Sequence, residues 1–313
     1  MNIDTFTLFS YLSIRDNILY PLDKFMSKSE IDLVCQRMTF KKSFFSLPFF
    51  LCANENDLKT ITNNKLKLIY NHKKIGEVTV KSISMLEKDK IIESLFKDIE
   101  INPKKHPYVK YLMNSGNYII ETESFSKKKF KLKIKNMTGF ATRNIPHKGH
   151  EKIIKHFCQK RKVLINIFED SSNNKKINSL NTFKAYNKFI DKNNLKKKIQ
   201  LKKIKLPSFL LGPRQAAIHA IVAKNLTCNS FIVGRDHSGF KNFFDIFQSY
   251  SFCKKNEKKI GIKIYESGSP VYCFDCNKIV FRKNFKCRRF IDISASLIRK
   301  NKNNKIKKLL SNF

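Results

Sequence analysis

Short apolar runs alternate with longer amphipathic stretches through the second half of the chain. Brief runs rich in Val, Ile and Phe are typical of buried strands, and apolar residues at helical spacing are typical of helices. Such alternation predicts a parallel sheet with crossover helices, whose ligands bind at the carboxyl ends of the strands. The predicted strands are residues 135–142, 163–168, 230–234 and 262–265, and the predicted helices are residues 151–160, 180–191 and 214–225.

The first half has shorter apolar runs, frequent turn signals and mixed periodicity, which predict a β-rich domain with some helix. A lysine-rich stretch, residues 126–135, is expected to join the two halves. The predicted domains are therefore residues 1–135 and 136–313. The second includes a cysteine-containing segment, residues 268–292, and a C-terminal helix. A lysine run at residues 195–205 is interpreted as a solvated surface segment.

Composition and charge add little to this picture. The 313 residues include 63 Lys and Arg against 25 Asp and Glu, a net charge of +38 that often indicates nucleic-acid binding. The lysines, however, are spread over the whole chain, Asn, Ile and Phe are abundant, Gly and Pro are scarce, and Trp is absent. This pattern indicates compositional drift in an AT-rich coding sequence, so a nucleic-acid partner is not expected.

Localisation signals are weak. The N-terminus has no basic lead or cleavage site of a signal peptide. The most apolar run, residues 44–53, is interrupted by Pro48 and is too short for a membrane span. Eight irregularly spaced cysteines do not indicate a disulfide framework. We expect a soluble cytoplasmic protein without a membrane partner.

The strongest chemical signal is the segment GFATRNIPHKGHE, residues 139–151. Two histidines one helical turn apart, His147 and His150, stand at a predicted helix N-terminus beside an arginine, where phosphate oxygens are favoured. The segment resembles the HxGH signature of nucleotidyltransferases, which cleave nucleoside triphosphates between the α and β phosphates. The preceding Thr-Arg-Asn triplet, residues 142–144, narrows the resemblance to the sulfate adenylyltransferase (ATP sulfurylase) family.

A second segment, LLGPRQAAIHAIVAKN running into CNSFIVGRDHSG, resembles another stretch of the same family. The family has Gly-Pro-Arg-Glu-Ala followed by Gly-Arg-Asp-His-Ala-Gly. Glycine at Gly234 lets the backbone approach a nucleotide. Arg235 and His237 can donate to phosphate oxygens, and Asp236 can orient either of them. The Gly-Arg-Asp-His sequence alone is typical of a structural turn. It supports the family resemblance because it follows the HxGH segment in the expected order and at the expected spacing.

The ends of the chain carry weaker resemblances. Residues 20–26 and 104–118 resemble structural segments of the family's PUA-like N-terminal domain. DISASLIRK, residues 292–300, resembles Ile-Ser-Gly-Thr-x-x-Arg, which implies that Ser296 and Arg299 reach the triphosphate. An ordinary helix N-cap is the alternative there. The resemblance also places Val271 against adenine.

Cys273, Cys276 and Cys287 have zinc-ligand spacing. Some bacterial members of the family resemble this, with a histidine shortly after the third cysteine. Here all seven histidines precede Cys273. A structural Zn²⁺ site with three cysteines and a metal-free knuckle both remain open.

The resemblance implies that ATP and sulfate give adenosine 5′-phosphosulfate and pyrophosphate, with Mg²⁺ accompanying ATP. Sulfate is already a dianion, so catalysis rests on positioning and charge neutralisation. The resemblance implies that Arg143 contacts sulfate. Thr142 and Asn144 are then expected to contact the α-phosphoryl and leaving oxygens. The β and γ phosphates are expected to be bound by His147, His150 and Arg235.

Two departures from the family lie beside the implied sulfate position. Ala141 replaces a glutamine, and Ser238 replaces an alanine and is expected to compensate partly with its hydroxyl. Losing one donor to an anion costs about 1.5–3 kcal/mol, so weaker sulfate binding is expected. Asn166 has no assigned role. The other histidines are expected to serve the fold or the surface: His72, His106, His156 and His219.

Two alternative functions remain. One is a nucleotidyltransferase with another acceptor, such as a phospho-sugar or a mononucleotide. The other is a basic RNA-binding protein with a vestigial catalytic domain. The resemblance also implies a homo-oligomer of unstated order, and the direction of the reaction cannot be derived from the sequence.

Overall fold

A computed structural model describes residues 1–125, 136–169, 179–282, 287–293 and 298. Most of the N-terminal half is built around a four-stranded antiparallel sheet with order β3-β6-β5-β4. Its elements are α1 Thr5–Arg15, α2 Lys28–Arg37, β1 Thr39–Phe40, β2 Ser43–Phe44, β3 Leu51–Ala53, α3 Glu55–Leu58, β4 Lys65–Tyr70, β5 Lys73–Met85, α4 Lys88–Phe96, a short 3-10 helix Pro103–Lys105, α5 Pro107–Asn114 and β6 Tyr118–Thr122.

Partly buried ion pairs hold the segment before α2 against this sheet. Lys24 stands where the resembled family has glycine, and its ammonium lies 2.8 Å from Glu121 and 3.1 Å from Glu30. Desolvation opposes ionisation of Glu121, but hydrogen bonds from Lys24 and two neighbouring side chains lower the pKa of Glu121 to about 2. At this position the lysine holds the segment by ion pairs, whereas the glycine of the resembled family would allow an unusual backbone conformation.

The second half contains a five-stranded parallel sheet with order β11-β10-β7-β8-β9, as predicted. The chain builds β7, β8 and β9 in one direction and then returns to add β10 and β11 on the other side. The topological switch therefore lies between β7 and β10. The elements are β7 Met137–Thr142, α6 Lys148–Cys158, β8 Lys162–Phe168, α7 Ser179–Lys192, β9 Ile199–Ile204, α8 Gly212–Asn225, β10 Cys228–Val233, α9 Gln248–Lys255, α10 Glu257–Ile260 and β11 Lys263–Glu266.

One prediction for this half was incomplete. Residues 195–205, interpreted as a solvated surface segment, contain the edge strand β9. Ile199 and Ile204 are buried, whereas the polar residues between them are partly exposed or exposed. An edge strand tolerates lysines on its open side because their aliphatic stems cover apolar surface while the ammonium groups reach water.

The remaining strands form a three-stranded antiparallel sheet with order β13-β12-β14. They are β12 Pro270–Cys273, β13 Lys278–Phe281 and β14 Phe290–Asp292. Apart from Ile298, the predicted C-terminal helix lies outside the described residues, as does the predicted joining segment 126–135. The boundary at residue 135 therefore stays a prediction. No helix in the described ranges is long and apolar enough to cross a membrane.

A single large core joins the N-terminal half to α8. The Phe209 ring, just before α8, packs 4.9 Å from the Phe6 ring and 5.1 Å from the Phe49 ring. Arg214 in α8 donates hydrogen bonds to N-terminal backbone carbonyls, including that of Cys35 at 2.8 Å. The helix that leads to the second motif is thus positioned partly by the N-terminal half.

Candidate active site

Two loops distant in sequence meet at the carboxyl edge of the parallel sheet. Strands β7 and β10 are hydrogen-bonded neighbours, and Phe140 pairs with Ile232. The loops that follow these strands therefore begin at the same level, beside the topological switch, where α/β sheets bind ligands. Burial lowers the pKa values of His219 and His237, and the positive charge of Arg143 adds to both shifts, so the first loop lies close to the second.

The Thr-Arg-Asn triplet forms a tight turn at the end of β7. The buried Thr142 hydroxyl oxygen accepts a hydrogen bond from the Asn144 backbone N–H at 3.1 Å. The Arg143 guanidinium donates through Nη1 to the Ser208 hydroxyl at 2.7 Å. Ser208 lies just before α8, so Arg143 bridges the first loop to the helix that precedes the second.

The two histidines of the HxGH segment begin helix α6 and stack on one another. His147 is the N-cap residue, and its Nδ1 accepts a hydrogen bond from the His150 backbone N–H at 3.3 Å. Their ring centroids are 3.8 Å apart with an interplanar angle of 21°. A Cβ atom on Gly149 would lie 3.0 Å from the His147 ring and 3.2 Å from Ile293, so glycine allows this close packing.

These imidazoles are neutral. Desolvation, and then the neighbouring His147, lower the pKa of His150 well below its usual value. Because Nδ1 of His147 accepts a hydrogen bond, the proton of its neutral ring lies on Nε2. A neutral ring can still donate to a phosphate oxygen, and the N-terminus of α6 supplies the favourable dipole.

The second loop leaves open space above Gly234. The nearest atom to a Cβ built on Gly234 is Nδ1 of His237 at 3.9 Å, so a ligand can approach this backbone closely. Asp236 and Ser238 adopt left-handed conformations, with φ of 49° and 57°. The Ser238 carbonyl accepts a hydrogen bond from the Gly212 N–H at 3.1 Å, which ties the loop to the start of α8.

A buried hydrogen-bond chain holds the second loop from beneath. The Gly234 N–H donates to Nδ1 of His237 at 3.4 Å, and Nε2 of His237 lies 2.9 Å from Nδ1 of His219. The other ring nitrogen of His219 lies 3.2 Å from the Gln215 amide nitrogen. Both nitrogens of His237 are thus engaged by the protein, which assigns this ring to ordering the Gly234 turn.

Arg235 is held by the C-terminal segment. Its Nη1 donates to the Asp292 carboxylate at 2.7 Å, and its Nη2 donates to the Ile293 carbonyl at 3.4 Å. Val271 is fully buried in β12, in register with Asp292. Ser296 and Arg299 lie outside the described residues, so their predicted contacts stay predictions.

The three cysteines lie together, as their spacing predicts. Cys273 ends β12, Cys276 lies in the turn before β13, and Cys287 precedes β14. Their sulfur atoms all lie within 4.8 Å of one another, and Sγ of Cys276 is 3.2 Å from Sγ of Cys287. Three thiolates in this arrangement fit three positions of a tetrahedral zinc site.

Several residues of this region escaped the sequence analysis because their partners are remote in the chain. Ser208 holds Arg143, and Asp292 holds Arg235. Gln215 stands where the resembled family has glutamate. The sequence analysis named His219 and His237, but it gave no sign that Gln215, His219 and His237 form one hydrogen-bond chain.

The parallel sheet, the histidine-bearing helix N-terminus and the facing Gly-Arg-Asp-His loop define a nucleotidyltransferase. A sequence model of the ATP-sulfurylase family matches residues 117–307, more than half of the chain, and the chain belongs to that family. A PUA-like domain model matches residues 1–122. The predicted class, a PUA-like N-terminal part followed by a Rossmann-like parallel sheet, is confirmed.

Individual relatives are remote. The sulfate adenylyltransferase of Ignicoccus hospitalis is 25% identical over 293 residues, covering 87% of this chain and 76% of the relative. That of Carboxydothermus hydrogenoformans is 24% identical, covering 84% and 75%. A solved structure titled hexameric APS kinase, from Thiobacillus denitrificans, aligns with a TM-score of 0.65 and 14% identity, covering 96% of this chain and 57% of that one. At that identity the likeness concerns the fold alone.

Proposed function

We propose that this protein transfers the adenylyl group of ATP to sulfate, giving adenosine 5′-phosphosulfate and pyrophosphate. The observation that carries the proposal is the meeting of the two motif loops at the switch point of the sheet, in a chain of the ATP-sulfurylase family. Relatives that match most of the chain are named sulfate adenylyltransferase.

The reaction needs an anion held in line with the α-phosphorus. A sulfate oxygen forms the new bond to phosphorus as the bond to the pyrophosphate oxygen breaks, and sulfate brings no proton that a base must remove. Arg143 holds the sulfate and offsets charge at the α-phosphate, supported by its hydrogen bond to Ser208. Thr142 and Asn144 shape this turn and lie beside the α-phosphoryl and leaving oxygens.

The nucleotide binds across the two loops. The neutral His147 and His150 rings and the N-terminus of α6 receive the β and γ phosphates. The open backbone at Gly234 lets the nucleotide lie against the second loop, and His237 keeps that turn in place. Mg²⁺ enters with ATP and neutralises phosphate charge.

Arg235 reaches phosphate by exchanging partners. In the structure its guanidinium pairs with Asp292, whose side chain is about half exposed at 46%. A phosphate oxygen can compete for the same guanidinium fork because Arg binds both anions in the same geometry. Ser238 lies beside the sulfate, and Val271 of β12 lies against adenine.

Sulfate-dependent release of pyrophosphate from Mg·ATP tests this function. The purified chain should release pyrophosphate only when sulfate is added, and it should form ATP from adenosine 5′-phosphosulfate and pyrophosphate. Parallel reactions with sugar phosphates and mononucleotides test the alternative acceptors. Release that depends on one of those acceptors and not on sulfate would overturn the proposal, as would salt-sensitive RNA retention without any pyrophosphate release.

We also propose that Cys273, Cys276 and Cys287 bind one structural Zn²⁺. Their thiolates would supply three ligands, and the metal would crosslink the β12–β13 turn to the start of β14. Metal analysis of protein purified without added zinc should give about one zinc per chain. A Cys276→Ser variant should lose it. Unchanged metal content in that variant would contradict the assignment.

The assembly, location and net direction of the reaction remain predictions. A homo-oligomer is expected, and light scattering would give its order. The cytoplasmic location rests on the sequence analysis. The relative rates of pyrophosphate release and ATP formation at cellular substrate levels would indicate the direction.

A further inference from the structure

Asn166 is a buried amide without a hydrogen-bond partner among the described residues. Its side chain is fully buried, at 0% exposure, in the middle of β8. Neither Nδ2 nor Oδ1 has a partner there. Burying an amide unpaired costs about 1–3 kcal/mol per group, and native proteins rarely keep such a group without a reason.

The alternation of β8 shows which way this side chain points. Ile165 and Ile167 pack in the core on the α6 and α7 side of the sheet. Leu164 and Phe168 pack in the larger core on the α8 side. Because side chains alternate between faces, Asn166 points to the α8 side with Leu164 and Phe168.

This face of the sheet lies beneath the place beside Ala141 and Ser238 where the family resemblance implies that sulfate binds. The Phe168 ring stacks on His219 with centroids 4.2 Å apart, which places it beside the hydrogen-bond chain under Gly234. Asn166 pairs in register with Ala141 on the neighbouring strand. In parallel strands such partners project from the same face about 4.8 Å apart, so the Asn166 amide lies beside the Ala141 methyl group.

Ala141 places only a methyl group beside the Asn166 amide. It lies two residues before Arg143, and its methyl group is the smallest side chain that can stand at this end of β7. Both polar atoms of the amide are closed to solvent in the free protein, so an anion bound near Arg143 reaches the amide only when neighbouring side chains shift. An oxyanion with tetrahedral oxygens suits such a donor, because a carboxamide N–H donates without adding charge.

We propose that Asn166 binds the acceptor anion, its Nδ2 donating to a sulfate oxygen beside Ala141 and Arg143. The inference rests on the proposed function and adds a specificity residue to it. The free protein then carries the free-energy penalty of an unpaired buried amide, and this penalty is removed when sulfate binds.

A matched pair of substitutions tests this role. Asn166→Leu removes both polar atoms at similar size, so the free protein should melt at the same or a higher temperature. The KM for sulfate should rise about tenfold or more, with the KM for ATP within about twofold. Ser269→Ala removes a buried hydroxyl that also has no hydrogen-bond partner among the described residues, and it is the control. It should leave both KM values unchanged.

A second variant keeps the shape of the side chain. Asn166→Asp replaces the donor with a group that repels a dianion, so the KM for sulfate should rise further than in Asn166→Leu. Adding Ala141→Gln to Asn166→Leu supplies a new amide on the same face and should lower the KM for sulfate again.

The possible outcomes separate this inference from the proposed function. Wild-type protein without sulfate-dependent pyrophosphate release would refute the function itself. Active wild type with an unchanged sulfate KM in folded Asn166→Leu and Asn166→Asp would overturn the role of Asn166. A lower melting temperature with equal rises in both KM values would assign Asn166 to the fold and overturn it too.

Discussion

Two histidine pairs lie on either side of the same sheet edge and differ in how their nitrogens are used. His147 and His150 stack face to face at the start of a helix, with His150 partly exposed. His219 and His237 meet nearly edge to face, at 67°, and share a buried hydrogen bond of 2.9 Å. The first pair adjoins the ligand loops, whereas the second joins a helix to the loop above it.

The difference shows that residue type does not determine role at this site. Desolvation lowers the pKa values of His150, His219 and His237 alike, so all three rings are neutral at pH 7. The location of the ring nitrogens separates the pairs. In the stacked pair, at a helix N-terminus, Nδ1 of His147 accepts from the His150 N–H and Nδ1 of His150 lies 3.5 Å from the Tyr186 hydroxyl. In the other pair, ring nitrogens contact each other, Gln215 and Gly234.

Arg143 follows β7 in the first loop and lies close enough to His219 and His237 to affect their pKa values, and its removal should have the largest effect. Arg143→Ala should lower turnover about 10³-fold or more because the acceptor and the α-phosphate lose their cation. The melting temperature should change little. The pKa values of His219 and His237 should rise, since the guanidinium lowers both. Pyrophosphate release and histidine NMR titration measure the two effects, and normal turnover in the variant would refute the assignment.

Replacing a stacked histidine should affect catalysis more than stability. His147→Ala should lower kcat/KM for ATP about 100-fold by removing a phosphate donor. Loss of the N-cap should cost about 1 kcal/mol in the free energy of unfolding. His72→Ala, on an exposed turn, is the matched control and should change neither quantity. A large stability loss without a kinetic change would reverse the comparison.

Replacing a buried histidine should do the opposite. His219→Ala leaves the Gln215 amide and Nε2 of His237 buried without this partner. The free energy of unfolding should fall by about 2–3 kcal/mol in urea denaturation. Turnover measured well below the melting temperature should stay within about tenfold of wild type. Equal losses in His219→Ala and His147→Ala turnover would remove the distinction between the pairs.

Per pH unit, the smallest expected effect is in the pH dependence of stability. Burial lowers the pKa values of His106 and His237 to about 4, below the usual 6.5. The unfolded chain therefore binds protons first, so stability is fully present above pH 6.5 and is lost as the pH falls toward 4. Each such histidine contributes up to about 1.4 kcal/mol per pH unit in that window. His106→Gln should flatten the slope, and an unchanged slope would contradict a neutral His106.

The sequence predicted the parallel sheet because VLINIF and SFIVG are apolar enough to be buried on both faces. It missed β9 because the lysines of IQLKKI dominate the pattern of an edge strand. The motif residues of both loops could be predicted because they are contiguous in the chain. The Gln215–His219–His237 chain and the direction of Asn166 could not, because each depends on which face of a strand or helix packs against α8.

The shared core around Phe209 and Arg214 has a consequence for dissecting the molecule. Helix α8 lies beneath the Gly-Arg-Asp-His loop, and removing the first 125 residues would expose one side of it to solvent. A fragment without them would expose aromatic rings that now pack on Phe6 and Phe49, and would leave an arginine without its carbonyl acceptors. The N-terminal half therefore helps to hold the helix that positions the second loop.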